Sequence, residues 1–536
     1  MIIENNGAVY LRVFGGAGEV GMNLASYEYN GSQLIVDMGI GFDPTLPSQT
    51  KTVVPNITWL KKKNIAGIAI THGHDDHIAA IAWLWYQLKV PIYATAFTAE
   101  LITRKTDDRH LKSAIKVVSQ HEWINIDPFQ VQFINITHSI PESSFLAISA
   151  GDINIGHTGD WKFDPDPVVG KVTNIAKLKQ FSQDGIDALV CDSTNIMEIE
   201  KRDNSEATLR NDLKTLISGL KGRVLLGCFS SNLARIKTCY DIAKECGREL
   251  CLVGRSMAKI REAATHTNYW NEEDRILNEE VGAKAHPGTV LYVCTGSQGE
   301  VGSALEKISK NEHHYLKIGA GDAVILSART ITGNELLVDK MINNFARLGI
   351  KVITQNNTNF KIHVSGHPIP DDVREMYKIM NPRYVIPVHG TYSHLFAHKE
   401  FAEENGFKSQ LIFNGQSLKI SKGDIERAEK VPYGRHLLEG RIFLDTEGLA
   451  IKARYKAQNG IVFVSIGKES VKVKTVGLYD NMRYEQNLEF AVYKYCMREN
   501  RATIYAKIIY ETNDFITQWF KEKENRKPLV VITVMF

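Results

Sequence analysis

Apolar and polar positions along the 536-residue chain follow two regimes. In the first, up to about residue 200, short apolar runs end abruptly in glycine, histidine or aspartate. Residues 9–14, 34–36, 65–70, 131–136, 153–155 and 188–191 are such runs. Their length, their β-branched content and the turn residues that bound them predict buried strands. The run at 65–70 passes through Thr71 into a histidine-rich turn. Residues 78–88 follow, rich in Ala, Leu, Trp and Ile, and predict a packed helix. Charged residues dominate 198–210 and mark a boundary. From Asp212 apolar strands at 223–230, 249–254 and 289–294 alternate with helical patterns, which predicts an α/β unit with a parallel sheet. The first regime resumes near Lys351, so the α/β unit reads as an insertion. A final segment from about Lys456 carries charged helix-like runs such as 484–501, then a strand at 529–535. The expected domains are 1–205, an inserted 206–350, a return at 351–450, and a small α+β domain at 456–536.

Composition narrows the class. Hydrophobic residues at 43% and charged residues at 23% are ordinary for a globular protein. No apolar run approaches the roughly 20 residues that a membrane-spanning helix needs. Residues 1–6 lack the basic start and apolar core of a signal peptide. Seven scattered cysteines without a CxxC pair read as reduced core thiols. A cytoplasmic protein with no membrane partner is expected. At a net charge of +3, a nucleic acid would have to be held in a local basic channel.

The chemistry concentrates in His72-Gly73-His74-Asp75-Asp76-His77, five metal-capable side chains in six residues. Imidazole suits zinc, and a carboxylate neutralises charge. His72 and His74, two apart, point to one side of an extended turn and can share an ion. Asp76 and His77 do not easily face that same ion, so two adjacent metals are the natural reading, as in centres that displace groups in line at phosphorus. A polar surface turn with chance histidines is the alternative; crowding directly after a buried strand argues against it. Other strand ends carry Asp37, His138, Asp160 and Asp192. Asp37 reads equally as a turn aspartate or as a carboxylate orienting a ligand histidine. Asp160 has two oxygens and can bridge two ions. The glycine-rich stretch 15–21 suggests phosphate binding only weakly, because no helix visibly opens after it; a tight turn close to the metal site fits better.

His72-x-His74-x-Asp76-His77 resembles the signature of the metallo-β-lactamase superfamily. An inserted α/β domain behind that motif resembles the β-CASP nucleases. Among them the ribonuclease J family matches at His138-Ser-Ile-Pro141, Gly159-Asp160-Trp-Lys-Phe-Asp164, Asp192-Ser-Thr-Asn195, Ser231-Asn232 with Arg235, Val253-Gly-Arg-Ser-Met257, Thr295-Gly-Ser-Gln-Gly-Glu300, Gly333-Asn-Glu335, His363-Val-Ser-Gly-His367 and His389-Gly390. Asp75, Ala80 and Thr332 stand where the family usually has Glu, Gly and Pro, and none of them is an expected ligand. The resemblance implies an αββα sandwich with an inserted β-CASP domain, and a C-terminal domain concerned with assembly into a homodimer or homotetramer.

It also implies the site. His72, His74 and His138 would hold one ion, Asp76, His77 and His389 the second, and Asp160 would bridge them. Zinc fits this set, two ions per subunit, with Mn(2+) or Mg(2+) as alternatives. His367 would be the general acid, oriented by Asp192. His363, Val364, Ser365, Gly366 and His367 would form a phosphate pocket, with Ser231, Asn232, Leu233 and Arg235 contributing across the cleft. The implied activity is a metal-dependent ribonuclease acting on single-stranded RNA, 5′-to-3′ from a 5′-monophosphate and also internally. A nuclease acting on DNA and a non-catalytic RNA-binding subunit are the competing readings; the complete ligand set speaks against the second.

Overall fold

The computed structural model describes residues 7–47, 51–199, 205–331, 333–440, 442–458, 460–467, 470–478, 482–498, 505–524 and 528–534. The first six residues, Thr332 and Met535, each used above, lie outside that range. The described residues form two compact units, one built from 1–44 with 53–434, the other from 45–52 with 435–536.

Two sheets face each other in the larger unit. The first has eight strands in the order Asp424–Ala428, Ser417–Ser421, Val9–Gly15, Leu24–Tyr29, Ser32–Val36, Asn64–Ala69, Ile92–Ala94 and Ile115–Val117. The second has seven, in the order Trp123–Ile126, Phe129–Asn135, Ser144–Ala150, Ile153–His157, Ala188–Asp192, Tyr384–Val388 and Lys408–Ser409. Period-two alternation decides which side each residue serves. Leu11, Tyr27, Leu34, Phe133, Ile148, Ala188 and Val190 fill the space between the sheets. Their strand neighbours Ile134, Phe145, Leu189 and Cys191 face the other way, onto the helices Ile175–Ser182 and Pro370–Met380. Each fully buried side chain of this size stabilises the fold by roughly 1.5–3 kcal/mol. An αββα arrangement results, as expected.

Strand direction gathers the site. Ser32–Val36 runs parallel to Asn64–Ala69, and Ile153–His157, Ala188–Asp192 and Tyr384–Val388 run parallel to one another. Their C-terminal ends therefore emerge on one edge of the sandwich, where Asp37, residues 72–77, Asp160, Asp192 and His389 lie.

The insertion is a five-stranded parallel sheet in the order Glu249–Val253, Val290–Cys294, Val224–Gly227, Ala323–Leu326 and Lys351–Ile353. Lys351, expected to open the return to the sandwich, pairs instead within this sheet, where Lys351–Ile353 lies parallel to Ala323–Leu326. The helix Glu335–Arg347 is the crossover that parallel pairing requires, so its following strand closes the insertion. The sandwich resumes with Pro370–Met380 and Tyr384–Val388.

In the smaller unit Ile461–Ile466 pairs antiparallel with Val471–Val476 and parallel with Leu529–Val534. The helices Met482–Arg498 and Tyr505–Glu524 make the crossover between the parallel pair. This unit begins at Arg435, earlier than the expected 456, because the hairpin of Arg435–Glu439 and Ile442–Asp445 belongs to it. No helix among the described residues is long and apolar enough to cross a membrane.

Candidate metal centre and catalytic site

Backbone shape comes first. Asp37 and His389 are non-glycine residues in the left-handed region, with φ of 60° and 53°. Such residues carry a steric cost and gather at functional sites. The turn after Asp37 lies directly on the histidine-rich turn: Met38 N donates to His77 O at 2.7 Å and Ile40 N to Asp75 O at 3.2 Å. Only glycine fits at Gly39, where a Cβ would fall 1.6 Å from Asp76 O. The glycine-rich stretch is a brace for the centre: Gly16 O accepts from His389 N at 2.6 Å.

The expected ligands converge in two cages. His74 Nδ1 lies 3.1 Å from His72 Nε2 and 3.0 Å from His138 Nε2. Asp160 Oδ2 closes this cage, 3.8 Å from His72 Nε2 and 4.0 Å from His138 Nε2. In the second cage Asp160 Oδ1 lies 3.2 Å from His77 Nε2 and 3.6 Å from His389 Nε2. Asp76 Oδ2 completes it, 3.6 Å from His77 Nε2 and 3.3 Å from His389 Nε2. One oxygen of Asp160 thus belongs to each cage.

These donors fit divalent cations. Asp160 is buried among imidazoles with its two oxygens turned toward different cages, a costly state for a carboxylate unless cations face it. His138 Nδ1 sits 2.6 Å from Gly366 O, so the proton is on Nδ1 and Nε2 points a bare lone pair into the first cage. His77 Nδ1 is bound to Asp37 Oδ2 at 2.7 Å, which turns its Nε2 toward the second cage. Burial holds His72 and His138 far below the ordinary histidine pKa and brings His74 down to about 4, so the three histidines of cage one are neutral and ready to ligate. Burial also opposes protonation of His77 and His389, but Asp160 and the neighbouring carboxylates outweigh it and raise both. Without an ion, cage two therefore holds protons that a cation must displace.

Beside the cages, His367 Nδ1 is 2.7 Å from Asp192 Oδ2. The His367 side chain is 22% exposed while that of Asp192 is buried, so the imidazole reaches outward from a fixed base. Burial lowers the His367 pKa, yet Asp192 and Asp160 raise it overall.

The expected phosphate pocket is brought together in part. A small pocket is lined by His138, Ser139, Lys162, Asp164, Asn232, Val364 and Ser365, among others. Of the residues expected there, Ser231, Leu233, Arg235, His363, Gly366 and His367 do not line it. Leu233 is fully buried. Arg235 is corrected outright: its guanidinium is fully buried, paired with Glu206, and bonded to Ser327 and to Ile362 O. A buried carboxylate takes the charge intended for substrate. Asn232 caps the helix Leu233–Glu245 through its side-chain oxygen. His363 is held neutral, its pKa pushed down to about 3 by burial and by Arg235. Gly366 leaves no room for a Cβ, which would meet His138 Cε1 at 2.7 Å.

Four supporting residues escaped sequence reasoning. Thr71 Oγ1 donates to Asp37 Oδ2 at 2.9 Å and lies 3.0 Å from His72 Nδ1. Asn23 Nδ2 donates to Asp76 O at 3.1 Å. Thr194 Oγ1 donates to Asp192 Oδ1 at 2.7 Å and contacts His389 Nδ1 at 2.8 Å. Asn195 Nδ2 donates to Ser365 Oγ at 2.7 Å and to His367 O at 3.2 Å. Thr194 and Asn195 stand in the quoted run Asp192-Ser-Thr-Asn195; a polar string directly after a buried strand was the available signal.

Comparison with known proteins agrees with this layout. Residues 35–198 match the beta-lactamase superfamily domain, 221–345 the ribonuclease J, beta-CASP domain, and 356–411 the Zn-dependent metallo-hydrolase RNA specificity domain. Ribonuclease J of Sinorhizobium meliloti is 36% identical over 467 residues, covering 85% of this chain and 82% of that protein. The chain belongs to the ribonuclease J family. Ribonuclease J of Mycobacterium tuberculosis is 31% identical, with 86% of this chain and 83% of that protein covered. Ribonuclease J of Helicobacter pylori is 32% identical, with 87% and 68% covered. A solved structure, a protein of unknown function from Enterococcus faecalis V583, superposes with a TM-score of 0.54 at 15% identity, covering 77% of this chain and 100% of that one, and shares the fold. As a ribonuclease J family member with a metallo-hydrolase domain, the chain is a metal-dependent hydrolase.

Proposed function

We propose that the chain hydrolyses phosphodiester bonds of single-stranded RNA, from a 5′-monophosphate end in the 5′-to-3′ direction and also internally. What carries the reading is Asp160, with one oxygen in each of two ligand cages, beside an imidazole held by a buried carboxylate. His72, His74, His138 and Asp160 would hold one ion, and Asp76, His77, His389 and Asp160 the other, two zinc ions per subunit or Mn(2+) or Mg(2+) in their place. Bound there, the pair supplies Lewis acidity: it lowers the pKa of an attacking water and neutralises charge on the phosphoryl oxygens. Asp37 fixes the tautomer and ring plane of His77. His367 carries its transferable proton on Nε2, because Nδ1 is committed to Asp192, and delivers it to the leaving 3′-oxygen. Ser365 and the pocket around Asn232 would hold a terminal phosphate and so measure the cut from the 5′ end. We further propose cytoplasmic action as a homodimer or homotetramer.

The test is digestion of matched RNA and DNA oligonucleotides bearing 5′-monophosphate, 5′-triphosphate or 5′-hydroxyl ends, with zinc or manganese supplied. Stepwise mononucleotide release from 5′-monophosphate RNA is expected. Equal cleavage of DNA would overturn the RNA assignment, and no cleavage with full metal content would leave only a binding subunit.

A further inference from the structure

One short turn touches His367, Ser365 and the cage-two histidine His389. Asp192 holds His367, Thr194 contacts His389, and Asn195 donates both to Ser365 and to the carbonyl of His367. The remaining residue, Ser193, faces the opposite way, into the core. Its Oγ shares a hydrogen bond of 2.8 Å with His398 Nδ1, and His398 Nε2 shares one of 2.7 Å with the Tyr377 hydroxyl. Ser193 is 1% exposed, and His398 and Tyr377 are both 0%.

The placement of these three residues is informative. Tyr377 lies on Pro370–Met380, the helix that leaves the loop carrying Ser365 and His367. His398 lies on Tyr392–Glu404, the helix that leaves the His389 loop. The imidazole therefore ties both outgoing helices to the one turn that orients His367 and His389. Burial lowers the His398 pKa to about 4, so the ring is neutral and offers one N–H and one lone pair, which two hydroxyls can satisfy in either sense. The histidine pairs both hydroxyls, which an apolar ring would leave buried and unpaired. What it adds is direction, since two short hydrogen bonds fix the ring, and through Ser193 the turn.

We propose that His398 is a positioning residue for catalysis: through Ser193 it sets the Asp192–Asn195 turn, and so aligns the proton donor His367 with the metal ligand His389. The proposal rests on the phosphodiesterase reading of the site. Displacements of about 1 Å in such a frame cost on the order of a hundredfold in rate.

The experiment uses the full-length metal-loaded protein and single-turnover cleavage of 5′-monophosphate RNA. His398→Phe is expected to lower the cleavage rate by about tenfold to a hundredfold, with KM within about twofold and full metal content. Ser193→Ala should do the same, and the double variant should lose no more than either alone, because both changes cut one linkage. His398→Asn keeps a polar atom near the Nδ1 position and should restore most of the rate; His398→Gln keeps one near the Nε2 position, facing Tyr377, and should not. Additive losses, or equal behaviour of Asn and Gln, would reduce His398 to a packing role and overturn the proposal. Normal rates in both His398→Phe and Ser193→Ala would do so as well. If His398→Phe fails to fold, Ser193→Ala and the Asn and Gln pair still decide. Failure of the underlying reading shows separately, as absence of cleavage in the unaltered protein.

Discussion

His77 carries a carboxylate on each side, Asp37 at Nδ1 and Asp160 at Nε2. Removing it takes one of four donors from cage two and strips buried Asp37 of its imidazole partner, leaving it the Thr71 backbone and hydroxyl. His77→Ala is expected to abolish cleavage and lower bound metal toward one ion per chain, with an unchanged circular dichroism spectrum. Ser365 and His367 separate in kind. Ser365→Ala removes a hydroxyl that accepts from Asn195 and lines the small pocket beside His138. It should weaken the preference for 5′-monophosphate over 5′-hydroxyl RNA by about tenfold to a hundredfold, the worth of roughly 1.5–3 kcal/mol for a hydrogen bond to a charged group. His367→Ala should slow the chemical step by roughly a hundredfold to ten-thousandfold while end preference and metal content stay. Single-turnover rates on the two RNAs, with metal analysis, check both. At this scale ligand chemistry was legible, because histidine and aspartate at strand ends are readable one residue at a time. Arg235 was not, because its neutralising partner Glu206 lies 29 positions earlier on another helix.

That pairing belongs to the elements. Glu206 opens the helix Glu206–Ser218 and Arg235 lies in Leu233–Glu245, so the ion pair fastens two helices of the insertion. Arg235→Met leaves Glu206 buried without its cation and should cost about 3–5 kcal/mol of stability; a urea midpoint that does not fall would contradict this. Substrate affinity of the folded fraction should be little changed, in contrast to a residue that grips phosphate. The helix Pro370–Met380 carries a titration of its own. Burial raises the Asp372 pKa to about 6, above the ~3.9 of an unfolded chain. The folded state thus binds that proton more tightly, and the stability it contributes is complete below about pH 4 and lost as pH rises through about 6. Relative to Asp372→Asn, the unaltered protein should lose up to about 3 kcal/mol between pH 4 and pH 7. Chemical denaturation at the two pH values measures it, and equal slopes for both proteins would remove the effect. Strand and helix alternation in the insertion was legible; its last strand was not. Lys351–Ile353 is three residues long, and its membership is decided by a neighbour, Ala323–Leu326, that no local pattern reveals.

For the whole molecule, the candidate ligands join segments far apart in sequence, so bound ions would cross-link the sandwich. Chelation should lower the melting temperature and zinc should restore it, each ion contributing about 2.7 kcal/mol at a free concentration a hundred times its dissociation constant. Because cage two holds protons when empty, metal uptake should release protons and weaken as pH falls; calorimetry in buffers of different ionisation heat measures the release. The insertion could be read from the change in periodicity. The limits of the small unit could not, because the hairpin at 435–445 resembles the strands before it.

His389 lies 313 residues beyond Asp76, and Gly366, which orients His138, lies 228 residues beyond it. Ribosomes add about 5–20 residues per second, so roughly 15–60 s separate the two halves of cage two during synthesis. Once Asp160 has been added, the growing polypeptide carries all four donors of cage one but only three of the four of cage two until His389 follows. The message being translated is itself single-stranded RNA, held within a few nanometres. With the site split across the insertion, cutting ability should arise only after most of the protein has been made.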